Sequence, residues 1–314
     1  MLSFDESEHA LRNEAMAAEI VRDVVVVEGP EAAGYLHGQL SQNVEGLAEG
    51  ASAWSLLLEP VGRVTSWLRI TRVGSEEYWL DTDPGAGEAT LARLERFKLR
   101  TKATFALSTS LPSIAIRGTN SPAAISFAAD LDSMTHRVIA VDLDWPGSIG
   151  VDLLGADLAG ADQTALTNLL AEAGVPLGDQ AVIELERVES GRPAMGAEFA
   201  EKTIPAETGV VDRSADFTKG CYVGQELVAR VDSRGNNTPR TVHPVRLAAG
   251  MAPIIGSDLV VDGAPIGVIT SVASGRDHVA ALASIKRGVE VPLAAQVEID
   301  GQLAMAEVSA VHWL

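Results

Sequence analysis

A chain of 314 residues with 46% hydrophobic and 21% charged content carries enough apolar surface for a full core and enough length for two or three lobes. Its net charge of -19 excludes generic binding to a phosphate backbone, and no window reaches the roughly 18 apolar residues of a membrane span. One cysteine and six scattered histidines (His9, His37, His136, His243, His278, His312) provide no intramolecular disulfide, no set of about four thiolates for an iron–sulfur cluster and no tetrahedral zinc site.

The acidic opening MLSFDESEHALRNE has neither the basic start nor the apolar run of a signal peptide, so the expected location is the cytoplasm. Val24 to Val27 read as a buried strand. GPEAAGYLHGQL follows as a short helix, with Pro30 at its first position and Ala32, Leu36 and Leu40 on one face. SAWSLLLEP and GRVTSWLRITRV are two strands around the turn Glu59-Pro60-Val61-Gly62, EEYWLDTD is a third, and GEATLARLERFKLR is a helix. A second set repeats the theme: SIAIRG, HRVIAVDLDW and SIGVDLL as strands, and ADQTALTNLLAEAGVP as a helix with Leu166, Leu169, Leu170 and Ala173 on one face. Gly174 and Pro176 stop it. From about Thr241 only strands remain. LVVDGAPIGVITSV and QVEIDGQLAMAEV each place Asp-Gly between alternating apolar segments, the signature of a type I′ hairpin. The expected class is α+β: a pseudo-duplicated body of two strand/helix lobes, then a small antiparallel β-barrel, with the boundary near Arg240 to Leu247.

The charge is unevenly spread. Residues 1 to 50 carry ten acids against two bases, whereas the window 213 to 246 holds Arg213, Lys219, Arg230, Arg234, Arg240 and Arg246 against Asp216, Glu226 and Asp232. Such a segment suits a small anion; the plainer alternative is that its arginines pair with the acidic lobes. Within it lies KGCYVGQE, residues 219 to 226, with the lone thiol between two glycines. Lys219 beside Cys221 would favour the thiolate, and Arg230 would too if a following helix brings it near. A lone cysteine is equally well a small packing hydrophobe.

KGCYVGQELVAR, residues 219 to 230, resembles the characteristic motif of YgfZ-type folate-binding proteins, relatives of the aminomethyltransferase T-protein of the glycine cleavage system. Four further stretches are similar and in the family order: GPEAAGYLHGQLSQNV, LLLEPVGRV, RVESGRP (Arg187 to Pro193) and IGVITSV, so the resemblance covers about residues 24 to 290. It implies two α+β lobes (roughly 1–110 and 111–245) around a central folate channel, and a C-terminal barrel over 246–314. It also implies tetrahydrofolate or a derivative as ligand, and a role supporting assembly or maintenance of iron–sulfur enzymes without carrying the cluster.

The family's pterin contact falls on Glu189, whose carboxylate could accept two parallel N–H bonds from a 2-amino-4-oxo pterin; its alternative is a salt bridge with Arg187 or Arg192. Lys219, Tyr222, Gln225 and Arg230 complete the expected cofactor-binding set. Cys221 is the expected catalytic residue, or with its neighbours and Glu226 a surface for an iron–sulfur client. No metal site, nucleic acid or membrane is expected. The transferases carry a catalytic aspartate on the strand that here reads GRVTSWLRI, where Thr65 and Ser66 stand and no carboxylate occurs between Arg63 and Arg72. A hydroxyl cannot replace that carboxylate, so aminomethyl transfer is not expected, with Asp81 or Asp83 as the nearest substitutes. The competing readings are a one-carbon transferase using Cys221 as acceptor or nucleophile, and a folate fold that has lost its ligand.

Overall fold

The computed structural model describes residues 1–120, 137–235 and 237–310, so His136 and His312 lie outside the described residues. The chain opens with helix α1 (Phe4–Asn13), started by a capping box in which Ser3 and Glu6 satisfy each other's backbone donors. Strands β1 (Met16–Glu28), β2 (Ser52–Leu58), β3 (Val64–Arg72), β4 (Glu77–Thr82), β5 (Thr104–Arg117), β6 (Ile139–Asp142) and β7 (Gly150–Leu154) form one sheet in the order β2-β3-β4-β1-β5-β7-β6. Helices α2 (Ala32–Gln39), α3 (Gly87–Lys98), α4 (Gln163–Glu172) and α5 (Ala181–Glu189) pack around it.

The two strand/helix sets therefore share a sheet. β5 joins them, pairing with β1 and, through Ser113–Arg117, with β7. Its first half is exposed apart from the partly buried Phe105 and Leu107, and its last five residues are buried, which is why only SIAIRG reads as a strand from sequence. Where β1 bulges between Arg22 and Val24, the buried Asp23 carboxylate accepts from Ser110, Gly85 and Gly87 N–H groups and so caps the start of α3.

One apolar core lies under α2 and α3 (Val25, Leu36, Leu40, Leu68, Leu80, Leu94) and a second under α4 (Ile114, Leu153, Leu166, Leu170). Ala173 sits at the C-cap of α4, exposed, and not on its buried face. Pro30 stands two residues before α2, whose N-cap is Glu31.

Six strands, β8 (Arg240–Ala248), β9 (Asp258–Val261), β10 (Ala264–Ser274), β11 (His278–Lys286), β12 (Leu293–Ile299) and β13 (Gln302–Val308), close a barrel in the order β10-β11-β8-β13-β12-β9. Both Asp-Gly turns have positive φ at both residues, 50° and 75° at Asp262 and Gly263 and 50° and 77° at Asp300 and Gly301. The resulting α+β class is the expected one. Among the described residues no helix is long and apolar enough to cross a membrane, and no cluster of His, Cys, Asp and Glu could hold a metal ion.

Candidate functional site

Three of the sequence stretches quoted above meet in space. Lys219 reaches the C-terminal end of α2, where its ammonium donates to the carbonyls of His37, Leu40 (2.7 Å) and Gln42 (2.9 Å). Those carbonyls have no intrahelical donor, and a cation there also suits the negative end of the helix dipole. Val223 N–H donates to Gly38 O at 3.2 Å, and Asp216 N–H to Ser41 O at 3.0 Å. Asp216 in turn accepts from Thr218 and Lys219 N–H groups and fixes the loop before the cysteine.

On the other side, helix α6 (Val211–Ser214) and helix α7 (Gln225–Asp232) bracket the motif. The turn Glu59–Gly62 packs on the start of α7 so closely that a Cβ on Gly62 would lie 2.4 Å from Leu227 Cβ. One on Gly224 would lie 2.7 Å from Glu59 O. Glycine is required at both positions.

Burial brings the Lys219 ammonium down to about 8, with Asp216 and Glu45 opposing the fall, and burial pushes the Tyr222 hydroxyl up to about 12. The Tyr222 ring centroid stands 5.2 Å from Lys219 Nζ, and Gln225 accepts the Tyr222 N–H at 3.1 Å. Cys221 and Arg230 are exposed. Lys219 thus spends its donors on α2. Lys219→Met should lower the unfolding free energy by about 1–3 kcal/mol, because three carbonyls lose their donor. Urea unfolding checks this, and an unchanged midpoint would remove the helix-capping role.

Glu189 lies elsewhere, at the last position of α5. Its Oε1 is 2.9 Å from Arg12 Nη2 of α1 and 2.6 Å from His278 Nε2 of β11, the latter a close contact without hydrogen-bond alignment. Arg187 and Arg192 do not pair with it: Arg187 binds Glu184 and Glu198, and Arg192 binds Glu186 at 3.0 Å. Two cavities open on Glu189. One of about 470 Å³ is lined by Arg12, Thr119, Ser148, Glu186, Glu189 and Ser190; one of about 330 Å³ includes Arg12, Glu189, Arg246 and His278. Of the basic window only Arg246 lines either cavity. Lys219, Tyr222, Gln225 and Arg230 line neither, so the expected cofactor-binding residues divide between two places. Arg12, His278, Glu186 and Ser148 carry no local sequence signal; they reach Glu189 or its cavity only through the fold.

The remaining expectation concerns the transferase aspartate. Ser66 is fully buried and donates to Thr82 Oγ1 at 3.2 Å, while Thr65 donates to Glu59 at 3.2 Å. Asp81, also fully buried, receives Arg69 Nη2 at 2.8 Å and Arg22 Nη2 at 3.0 Å. Asp83 pairs with Arg22 and accepts Met195 N–H at 2.9 Å. Burial would raise its carboxyl, but Arg22 and that N–H outweigh it and hold it below the ordinary value. The network continues inward: Asp152 receives Arg69 and Arg117 at 2.7 Å each, and Glu186 takes Arg192. Beside it Trp54 stacks on Trp67 at 4.1 Å, with the edge of Trp145 and the face of Phe199 against Trp67.

This architecture is that of aminomethyltransferase T. The glycine cleavage system aminomethyltransferase T of Bartonella henselae superposes with a TM-score of 0.81 over 99% of this chain and 89% of its own, at 19% identity. In sequence the chain is a relative of the YgfZ proteins: it is 27% identical over 244 residues to the tRNA-modifying protein YgfZ of Klebsiella pneumoniae, covering 75% of this chain and 72% of that one. An uncharacterized protein of Haemophilus influenzae is 25% identical over 241 residues, 75% of each chain. No protein-family model matches.

Proposed function

We propose that the protein binds tetrahydrofolate or a one-carbon derivative and acts as an accessory to iron–sulfur enzymes in the cytoplasm. The observation that carries the folate reading is Glu189, which lines a cavity of about 470 Å³ together with Glu186 in an aminomethyltransferase T fold and a YgfZ-like sequence. The acceptor chemistry suits a pterin: the ring presents N–H donors, and the Glu189 carboxylate would accept them in a space within the usual range for small-molecule sites. Arg12, whose side chain is 43% exposed, would swing off Glu189 as the ring enters, and the small-molecule ligand would supply the one-carbon unit.

The relatives' name concerns tRNA, whereas a surface with net charge -19 disfavours direct contact with RNA. Action through a client enzyme fits both. Cys221, exposed beside Lys219 and Tyr222, is the thiol available to such a client or to a reaction of its own.

Calorimetry with tetrahydrofolate should register binding, and Glu189→Ala should weaken it by about 1.5–3 kcal/mol, roughly tenfold to a hundredfold. Absence of heat with every reduced folate tried on folded protein overturns the reading. Iodoacetamide should alkylate Cys221 without denaturant, and a Cys221→Ser copy should restore iron–sulfur enzyme activity poorly in a deletion strain; full restoration removes the thiol from the mechanism.

A further inference from the structure

The curled sheet stops short of closing. Its two outer strands, β2 and β6, face each other across a groove of about 640 Å³ lined by Gly50–Trp54 on one side and Ala140, Asp142 and Asp144 on the other. Among the described residues only side chains cross it: Trp54 Nε1 donates to Leu143 O at 2.9 Å, and Arg69 Nη1 to Asp142 O at 3.2 Å.

The direction of the backbone groups follows from the ladders. Leu56 N–H and C=O both turn away from β3, toward Ser41. By the two-residue period, so do those of Trp54 and Ser52. On β6, Leu143 N–H points to Gly150 O of the β7 side, so Ala140 and Asp142 direct their N–H and C=O away from β7 and into the groove. Among the described residues nothing pairs with the N–H and C=O of Ser52 and Ala140, or with the N–H of Trp54 and Asp142.

We propose that this groove takes an extended peptide segment of a partner protein, which would pair with β2 and β6 at once and complete the sheet. Unpaired donors and acceptors spaced along two facing edges match an extended chain and no compact ligand. A strand rises about 3.3 Å per residue, so Gly50–Trp54 accommodates roughly four or five residues. Charge specifies the segment further. Among the described residues, Asp142 and Asp144 are exposed at the mouth, the Asp144 carboxylate has only a 3.7 Å contact with Arg213, and the one arginine in the lining, Arg69, is already held by Asp81 and Asp152. The partner segment is therefore basic, with Lys or Arg beside its paired residues.

The probes are three fluorescein-labelled peptides with an alternating Val/Thr core: one flanked by Lys, one flanked by Glu, and the Lys peptide N-methylated on alternate amides. Anisotropy with the full chain should show saturable binding of the first, at least tenfold weaker binding of the second, and none of the third. Amide exchange at Ser52, Trp54, Ala140 and Asp142 should slow on binding. Ser52→Pro and Ala140→Pro each remove an outward N–H that the ladder does not use and should abolish binding. Should either unfold, Asp142→Lys provides the charge test by inverting the preference for Lys over Glu flanks. No binding of the Lys peptide, or equal binding of its methylated form, overturns the proposal. So does protection of those amides in the free protein, which would mean that the chain's own residues or a second copy fill the groove.

Discussion

Asp152→Ala is expected to lower the free energy of unfolding by about 3–5 kcal/mol, the range for removing one member of a buried ion network. Asp152 is 3% exposed and is the shared acceptor of Arg69 and Arg117. Arg69 would keep Asp81, but Arg117 would keep only two carbonyls and a 3.8 Å approach to Glu186, with its Nε already lacking a hydrogen-bond partner. A buried guanidinium without a counter-charge is the cost that dominates. Urea unfolding monitored by tryptophan fluorescence measures it, and a loss below about 1 kcal/mol would show that water or Glu186 replaces the carboxylate readily.

The pH dependence of the same network has a definite sign. Burial alone would raise the Asp152 carboxyl, but Arg117 and Arg69 outweigh it and hold it well below the ordinary range. A carboxyl depressed in the folded state contributes its stability above the unfolded value of about 3.9, and loses it as pH falls through the folded value. Wild type should therefore lose this contribution progressively as pH falls from about 4 toward the depressed folded value. Asp152→Asn should flatten the dependence of stability on pH in that window, because its amide has no proton to take up.

What the sequence made legible and what it hid divide along physical lines. Local rules were enough for α2, α4 and both Asp-Gly hairpins, since spacing of apolar side chains and positive φ at Asp-Gly act within a few residues. The first half of β5 stayed hidden, because only Phe105 and Leu107 of its alternation turn to the core, both partly buried, and Ala, Ser and Thr fill the rest. Charge pairing was hidden as well. Among the described residues, only Arg213 of the arginines in the window 213 to 246 approaches a carboxylate of the acidic lobes, at 3.7 Å. The strong pairs instead join residues such as Arg12 and Glu189, 177 positions apart, which no window can connect. The motif around Cys221 was legible as a unit, but its lysine serves α2, and Glu189 belongs to another cavity.

The largest effect expected of all is a missing activity. With an aminomethyl-lipoyl donor and tetrahydrofolate, the purified protein should form methylenetetrahydrofolate no faster than background, because loss of a positioned acid or base removes about 10²- to 10⁴-fold in rate. On the proposed folate reading, affinity and acceleration depend on different residues: affinity would rest on Glu189 and its cavity, whereas acceleration needs a carboxylate free to meet charge that develops in the transition state. Neither Asp81 nor Asp83, the substitutes the sequence offers, is free in that sense. Asp81 is fully buried between Arg69 and Arg22, Asp83 is paired with Arg22 and held low, and the hydroxyls of Thr65 and Ser66 are committed to Glu59 and Thr82. A carboxylate already neutralised by a guanidinium is both a weak base and a poor stabiliser of a second positive charge. Robust transfer in a coupled assay would overturn this reading and direct attention to Asp83, whose side chain is 23% exposed while Asp81 is sealed. Asp83→Asn would then have to abolish the turnover while leaving tetrahydrofolate binding within a few-fold of wild type.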